Sequence, residues 1–302
     1  MRVQSWHIGL FIWLLILIVQ PSGLFYEWWA RLLLLLAALV WIPLAFSLPI
    51  LKNENFLLQI GMLPSAILLV VSMLLPKNYW AFICAIPWFL ITFLIFINGL
   101  KDLFQIKKWT ASIIAINLGQ VFLIIGGAWL LADRFDFQPV SFSPDIVLLT
   151  SIHFHYAGFI FPLLAGLAAQ KQNSEALNLG STLAIIAIPM TAIGITISHL
   201  HSIYHFELIA AVAVVIAGWC VAIGYFEIIV KNKLPLITRM LWFIMSITLL
   251  ISMTLAFLYA IRFYYVIDWL SIPAMRAFHG TLNAIVVSGC GLLGWRFYKN
   301  EF

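Results

Sequence analysis

The chain has 302 residues, 64% of them hydrophobic and 9% charged, with a mean hydropathy of +1.09. Soluble domains carry about 25% charged residues. No soluble core could hide this much apolar surface, so lipid must be the solvent for most of the chain. The net charge of +5 does not point to nucleic acid, because the basic residues stand singly or in pairs in short loops, where membrane topology accounts for them.

About 20 apolar residues are needed for a helix to cross a bilayer. Apolar runs broken by charge, Pro and Asn predict ten spans, at 5–20, 29–51, 56–75, 79–100, 110–131, 146–169, 182–202, 206–230, 240–261 and 275–297. The first run, with one Arg before it and "PSG" after it, has the outline of a signal peptide. No small-x-small cleavage site follows closely and another apolar run starts soon after, so an uncleaved first helix is expected. The break between the seventh and eighth spans rests on "SHLHSIYHFE", which contains no Lys or Arg. The predicted fold is an all-α polytopic transmembrane bundle, a single integral membrane domain over 1–302. Cys84, Cys220 and Cys290 all fall in apolar segments and are expected as free thiols.

Lys and Arg set the orientation. With ten spans, one side holds Arg2, Lys52, Lys101, Lys107, Lys108, Lys171, Lys231, Lys233, Arg239, Arg296 and Lys299. The other holds Arg31, Lys77, Arg134, Arg262 and Arg276, so the sixteen divide eleven to five. This places both termini in the cytoplasm. Five plus five spans would suit an inverted repeat of the transporter kind, but the halves share no matching sequence.

The polar residues inside this frame are the candidates for function. Of seven histidines, His7 begins the first helix. The other six, His153, His155, His199, His201, His205 and His279, all fall in the extracytoplasmic half. Polar groups in hydrocarbon are expensive and face a bundle interior or a cavity, and imidazole is a common metal ligand. Three helical neighbourhoods with imidazoles at similar depth could surround one zinc, iron or copper ion, or a haem. On a regular helix, residues two apart point about 200° apart, so His153 and His155 cannot both face one site. His155, on a face with Ser151 and Gly158, is expected to be the ligand, with His153 beside Tyr156 supporting it. His201 and His205 have the i, i+4 spacing that pairs ligands on a helix, provided the turn there is helical. His279 and Asn283 share that spacing, with Arg276 three residues before His279.

Glu207 and Tyr156 are the candidate catalytic groups, Glu207 as a general acid–base. Arg276, Asn283 and Ser151 are candidate substrate contacts. Asp145 reads as the cap of the sixth span, Asp133 as a solvated loop residue, and Glu227 as a partner of Lys231. Pro162 and Pro189 are expected to kink their spans. Trp28, Trp29, Tyr79, Trp80 and Trp109 read as interfacial anchors.

The stretches "HFHYAGFIFPLLAGLA" and "FHGTLNA" resemble the YndJ-like family of bacterial membrane proteins. His153, His155, Tyr156, Ala157, Gly158, Phe159 and Pro162 carry the resemblance, with His279, Gly280 and Asn283. The family is sometimes described as a transporter, which implies a multi-pass protein of the plasma membrane but no substrate. Ser151-x-x-x-His155 and His201-x-x-x-His205 are also similar to elements of the intramembrane zinc hydrolases that include alkaline ceramidases. Those need an Asp between the motifs, and none lies between residues 155 and 205 here. Three functions follow as expectations. One is a metal-dependent enzyme acting on a lipid or other apolar small molecule. The second is a permease using the histidines as a polar path, and the third a carrier of non-covalent haem.

Overall fold

A computed structural model describes residues 4–20, 23–51 and 56–298. It is all-helical. Ten helices follow in chain order: α1 (Ser5–Val19), α2 (Glu27–Ala45), α3 (Phe56–Leu74), α4 (Tyr79–Phe104), α5 (Ala111–Arg134), α6 (Pro144–Lys171), α7 (Glu175–His201), α8 (His205–Lys231), α9 (Leu236–Phe263) and α10 (Ile272–Phe297). Nine of them, α2 to α10, are long and apolar enough to cross a membrane, and α1 is the shorter apolar helix. All ten expected segments are helical, with ends shifted by up to seven residues, the largest shift at Glu175, where α7 begins before the expected 182.

The helices fall into two compact units. Of the described residues, unit 1 takes those up to 104 and 120–160, and unit 2 takes 105–119 and 161–298. In unit 1 the central element is α2. Its run "LLLLLAALV" is apolar on every side, the pattern of a helix with no outward face, and Leu32 to Leu36 are all buried. The neighbours of α2 hold it through its backbone carbonyls. Trp13 Nε1 of α1 donates to the Leu32 carbonyl at 2.8 Å, and Tyr156 Oη of α6 donates to the Leu33 carbonyl at 2.7 Å. In unit 2, α7 and α8 form a hairpin joined at Ser202, whose φ of 56° is left-handed, and α8, α9 and α10 pack in sequence.

Among the described residues, four π-helical segments interrupt the spans: Ala37–Trp41 in α2, Tyr156–Ile160 in α6, and Arg276–Gly280 and Leu282–Val287 in α10. Two have a proline cause. Pro43 and Pro162 lack the N–H that would serve the carbonyl four residues back. Those carbonyls belong to Leu39 and Gly158, each inside a π segment. The expected distortion at Pro162 therefore takes the form of a π turn, whereas α7 continues through Pro189 as one helix. The Leu39 carbonyl is met by Gly9 of α1, where a Cβ would overlap the oxygen. Only glycine permits so close a backbone approach.

The outward surfaces fit a lipid solvent. Phe56, Leu57, Phe93, Ile193, Ile209 and Phe243 are large, apolar and exposed on the spans. Tyr79, Trp80 and Trp109 are exposed at helix ends, as interfacial anchors should be, but Trp29 is buried and belongs to the packing of α2. Asp145 is in the first turn of α6 and not at its cap. The cap is Ser143, so the carboxylate acts only through the helix dipole. Asp133, expected in a solvated loop, ends α5 with a fully buried side chain. It pairs with Lys77 at 2.9 Å and with Arg134 at 2.7 Å. Burial of a carboxylate requires such partners, and α5 extends three residues beyond the expected span end to reach them. Glu227 does pair with Lys231, at 2.9 Å.

Candidate functional site

The motif histidines lie beside the π segments. In unit 1, α6 runs as an α-helix to His155 and turns π at Tyr156. His155 is completely buried. Its Nε2 is 3.0 Å from Trp88 Nε1 of α4. An indole N–H only donates, so His155 Nε2 must accept, and the ring proton sits on Nδ1. That proton is directed at the Ser151 carbonyl, 2.8 Å away. One neutral tautomer satisfies both contacts, and both nitrogens are engaged within the protein.

The rest of this cluster is also internally matched. Ser151 Oγ donates to the Gly126 carbonyl of α5 at 2.8 Å. A Cβ at Gly126 would stand 2.7 Å from His155 Nδ1, so glycine is what lets α5 and α6 close over the imidazole. Tyr156 is buried with its hydroxyl on α2. His153 is exposed, and its Nδ1 faces the Leu149 carbonyl of its own helix at 2.7 Å. The two histidines are unequal, as expected, but it is His155, not His153, that bonds a neighbouring span. His155 bonds the neighbouring span and His153 carries its lone pair on Nε2 of an exposed ring. Ser151 and Tyr156, expected to contact substrate and to catalyse, here tie α6 to α5 and α2.

In unit 2 the candidates form two groups. At one end, Glu207 is buried in the first turn of α8, and Arg262 Nη2 lies 2.6 Å from its carboxylate. The Arg262 guanidinium lies 4.1 Å from the ring centroids of both Tyr259 and Phe263. Beside this pair, Tyr264 Oη and His205 Nδ1 are 2.5 Å apart. His201 ends α7 and His205 begins α8, with left-handed Ser202 between them. The turn is not helical there, so the i, i+4 pairing of His201 and His205 fails. His199, His201 and His205 are all exposed at this end.

The second group lies within the spans. His279 Nδ1 is 2.9 Å from the Ser252 carbonyl of α9 and 3.0 Å from Ser252 Oγ. A carbonyl can only accept, so Nδ1 carries the proton and the lone pair is on Nε2. Asn283 Nδ2 donates to Ser252 Oγ and, at 2.8 Å, to the carbonyl of His279. Ser288 Oγ donates to the carbonyl of Asn283 at 2.8 Å. These side-chain donors serve carbonyls of a helix whose register has shifted to π, which accounts for two π segments that no proline underlies. Ser252 is buried while His279 and Asn283 are half-buried. Arg276, one turn before His279, is buried.

The expected meeting of three imidazole neighbourhoods at one ion is not found. Among the described residues, no group of three or more His, Cys, Asp or Glu side chains is placed to hold a metal. Sequence reasoning missed Trp88, Ser252, Arg262 and Tyr264. Trp88 did carry a signal. It lies nine residues into α4, roughly 13 Å deep at 1.5 Å per residue, too far in for an interfacial anchor. Ser252 gave a weaker one, a small hydroxyl in the middle of an apolar run.

The architecture defines a multi-pass helical membrane protein with hydrogen-bonded histidines inside its spans. The chain belongs to the YndJ-like protein family, whose profile matches residues 32–287. It is similar to the uncharacterized membrane protein YndJ of Bacillus subtilis (strain 168), with 27% identity over 214 residues. That alignment takes in 70% of this chain and 38% of the Bacillus protein, so this chain matches well under half of that relative's length. No solved structure matches it.

Proposed function

We propose that this chain works as a permease-type membrane protein, with a polar substrate site on the distorted span α10. The carrying observation is the Ser252–His279–Asn283 group on two successive π segments. His279 lies seven residues into α10, roughly 10 Å along it, in what the charge distribution makes the extracytoplasmic half. Polar side chains inside spans mark substrate paths, and transporters bind substrate where span helices depart from regular α geometry. π turns recur at functional sites. His279 supplies an acceptor nitrogen, Asn283 its amide oxygen, since both its N–H donors are engaged, and Arg276 positive charge one turn away, a set suited to a polar solute that donates hydrogen bonds. The permease reading asks only for hydrogen-bonding groups along a span. The metal enzyme and the haem carrier both need converging imidazole lone pairs.

The test begins with purified protein. Elemental analysis and an absorbance spectrum come first, and stoichiometric zinc, iron or copper, or a Soret band, would overturn the permease reading. A thermal-shift screen against sugars, amino acids, nucleosides, organic acids and inorganic anions follows, with counterflow in proteoliposomes for each hit. The expected result is counterflow that His279→Ala and Asn283→Leu abolish. Chemical conversion of a hit in place of counterflow would identify an enzyme instead.

A further inference from the structure

Helix α10 is anchored unevenly. Among residues 287–298 eight of twelve are buried, against four of fifteen among residues 272–286, so the inner end is the gripped one. There Trp295 Nε1 donates to Tyr225 Oη of α8 at 2.8 Å, and that hydroxyl donates on to the Leu164 carbonyl of α6 at 3.0 Å. The Trp295 ring also meets Trp242 of α9 at a centroid distance of 4.8 Å. Neighbours press directly on the backbone. A Cβ at Gly291 would stand 2.6 Å from the Leu164 side chain, and one at Gly294 would overlap the Trp242 indole. Three spans hold this end.

The outer end packs on α9, where Ser252 holds both His279 and Asn283. The π segment Leu282–Val287 joins the two ends. A π turn closes its hydrogen bond one residue later than an α turn and is rare, so something must hold it. Here Asn283 Nδ2 serves the His279 carbonyl and Ser288 Oγ serves the Asn283 carbonyl. Gly280, between the two π segments, weakens the helix by about 1 kcal/mol relative to Ala. If the surplus residue of Leu282–Val287 returned to α geometry, everything outward of it would turn by one residue's angle, about 100°. His279 would then leave Ser252.

We propose that α10 is a two-state gate for the polar site, a regulation that rests on the permease reading of that site. The inner end stays fixed. Ser252 latches the outer half in the π state seen here, and relaxation of Leu282–Val287 to α geometry rotates that half off α9. Release exposes the hydrogen-bonding groups of His279, Asn283 and Ser252 together, and a solute that takes their place stabilises the released state. The latch consists of side-chain hydrogen bonds, which exchange for bonds to a solute without disturbing the apolar anchor.

Distances between spin labels test this on the purified full chain, with Cys84, Cys220 and Cys290 replaced by Ala. Phe278 at the outer end, Phe297 at the inner end and Ile244 of α9 are all exposed and take the labels. Double electron–electron resonance should give the Phe278–Ile244 pair a second distance, shifted by up to roughly 8 Å, the chord of a 100° turn on a helix about 10–12 Å across. Ser252→Ala, which weakens the latch, should raise the ratio of displaced to latched molecules about three- to eighteenfold, the factor corresponding to interspan bonds of roughly 0.6–1.7 kcal/mol. Ser288→Ala, which removes a π-holding donor without touching Ser252, should shift it the same way. The Phe297–Ile244 distance should stay single and unchanged in both variants, which also shows that they fold. A single unshifted Phe278–Ile244 distance in both variants, or an equal change at the inner pair, would overturn the gate. No solute is needed, so failed counterflow with two distances would sink the permease reading alone, and counterflow with one distance would sink the gate alone.

Discussion

Replacing His155 with Ala removes a fully buried imidazole and leaves the Trp88 N–H, itself fully buried, without an acceptor. An orphaned buried donor costs about 1–3 kcal/mol. Truncating a large buried side chain to Ala costs roughly 2–5 kcal/mol when the site collapses little. The unfolded chain in a membrane environment finds other partners, and hydrogen bonds between spans there average only about 0.6 kcal/mol, with a maximum near 1.7. The cavity is therefore the larger contribution, and His155→Ala should destabilise by roughly 2–4 kcal/mol. Combined with Trp88→Phe it should show a coupling of roughly 0.6–1.7 kcal/mol. His153, exposed and bonded only to its own helix, should change stability by no more than about 0.5 kcal/mol on replacement by Ala. The assay is reversible unfolding in mixed detergent micelles followed by far-UV circular dichroism, since helix content does not depend on the tryptophan being changed. Equal costs for His153→Ala and His155→Ala, or a coupling of zero, would refute the assignment of His155 as the bond between α4 and α6.

Gly9→Ala should displace α1, because the new Cβ overlaps the Leu39 carbonyl. Limited proteolysis should then cut between α1 and α2 at much lower protease concentration, while Gly61→Ala, facing only a movable Ile91 side chain, should leave the pattern unchanged. Glu207→Gln leaves the partly buried Arg262 without its counter-charge and should cost roughly 3–5 kcal/mol, less whatever solvent restores. Replacing both residues by apolar ones should recover much of this in the same unfolding assay, and no recovery would show that the pair has a use beyond packing. For topology, the Lys and Arg distribution predicts that reporters fused after Lys108 and Lys233 read as cytoplasmic and one near Asp136 as external. The reverse pattern would move every span histidine to the other side of the membrane.

Among the described residues, ten helices, and the length and hydropathy that let nine of them cross a membrane, were legible in the sequence, because each depends on a local property measured against one external length. A run of about 20 apolar residues either spans hydrocarbon or has no stable place to be, and neither outcome waits on a partner. Family membership was legible for a related reason, as "HFHYAGF" and "FHGTLNA" are contiguous strings. The inequality of His153 and His155 also followed from the sequence, since the helical repeat alone sets their faces about 200° apart. What the inward-facing His155 would meet did not follow. That was decided by Trp88, 67 residues away, whose donor-only N–H selects the His155 tautomer. Asp133 looked solvated because only its neighbours in sequence were visible. Its enclosure by Lys77 and Arg134 depends on the α3–α4 loop meeting the end of α5. The i, i+4 reading of His201 and His205 failed through one left-handed residue, Ser202, at a hairpin whose shape is set by the packing of α7 on α8. Hydrophobicity adds up residue by residue, and a sequence can be scanned for it. A hydrogen bond inside a membrane needs two particular groups at one depth on facing sides of two helices, and only the assembled bundle sets that pairing.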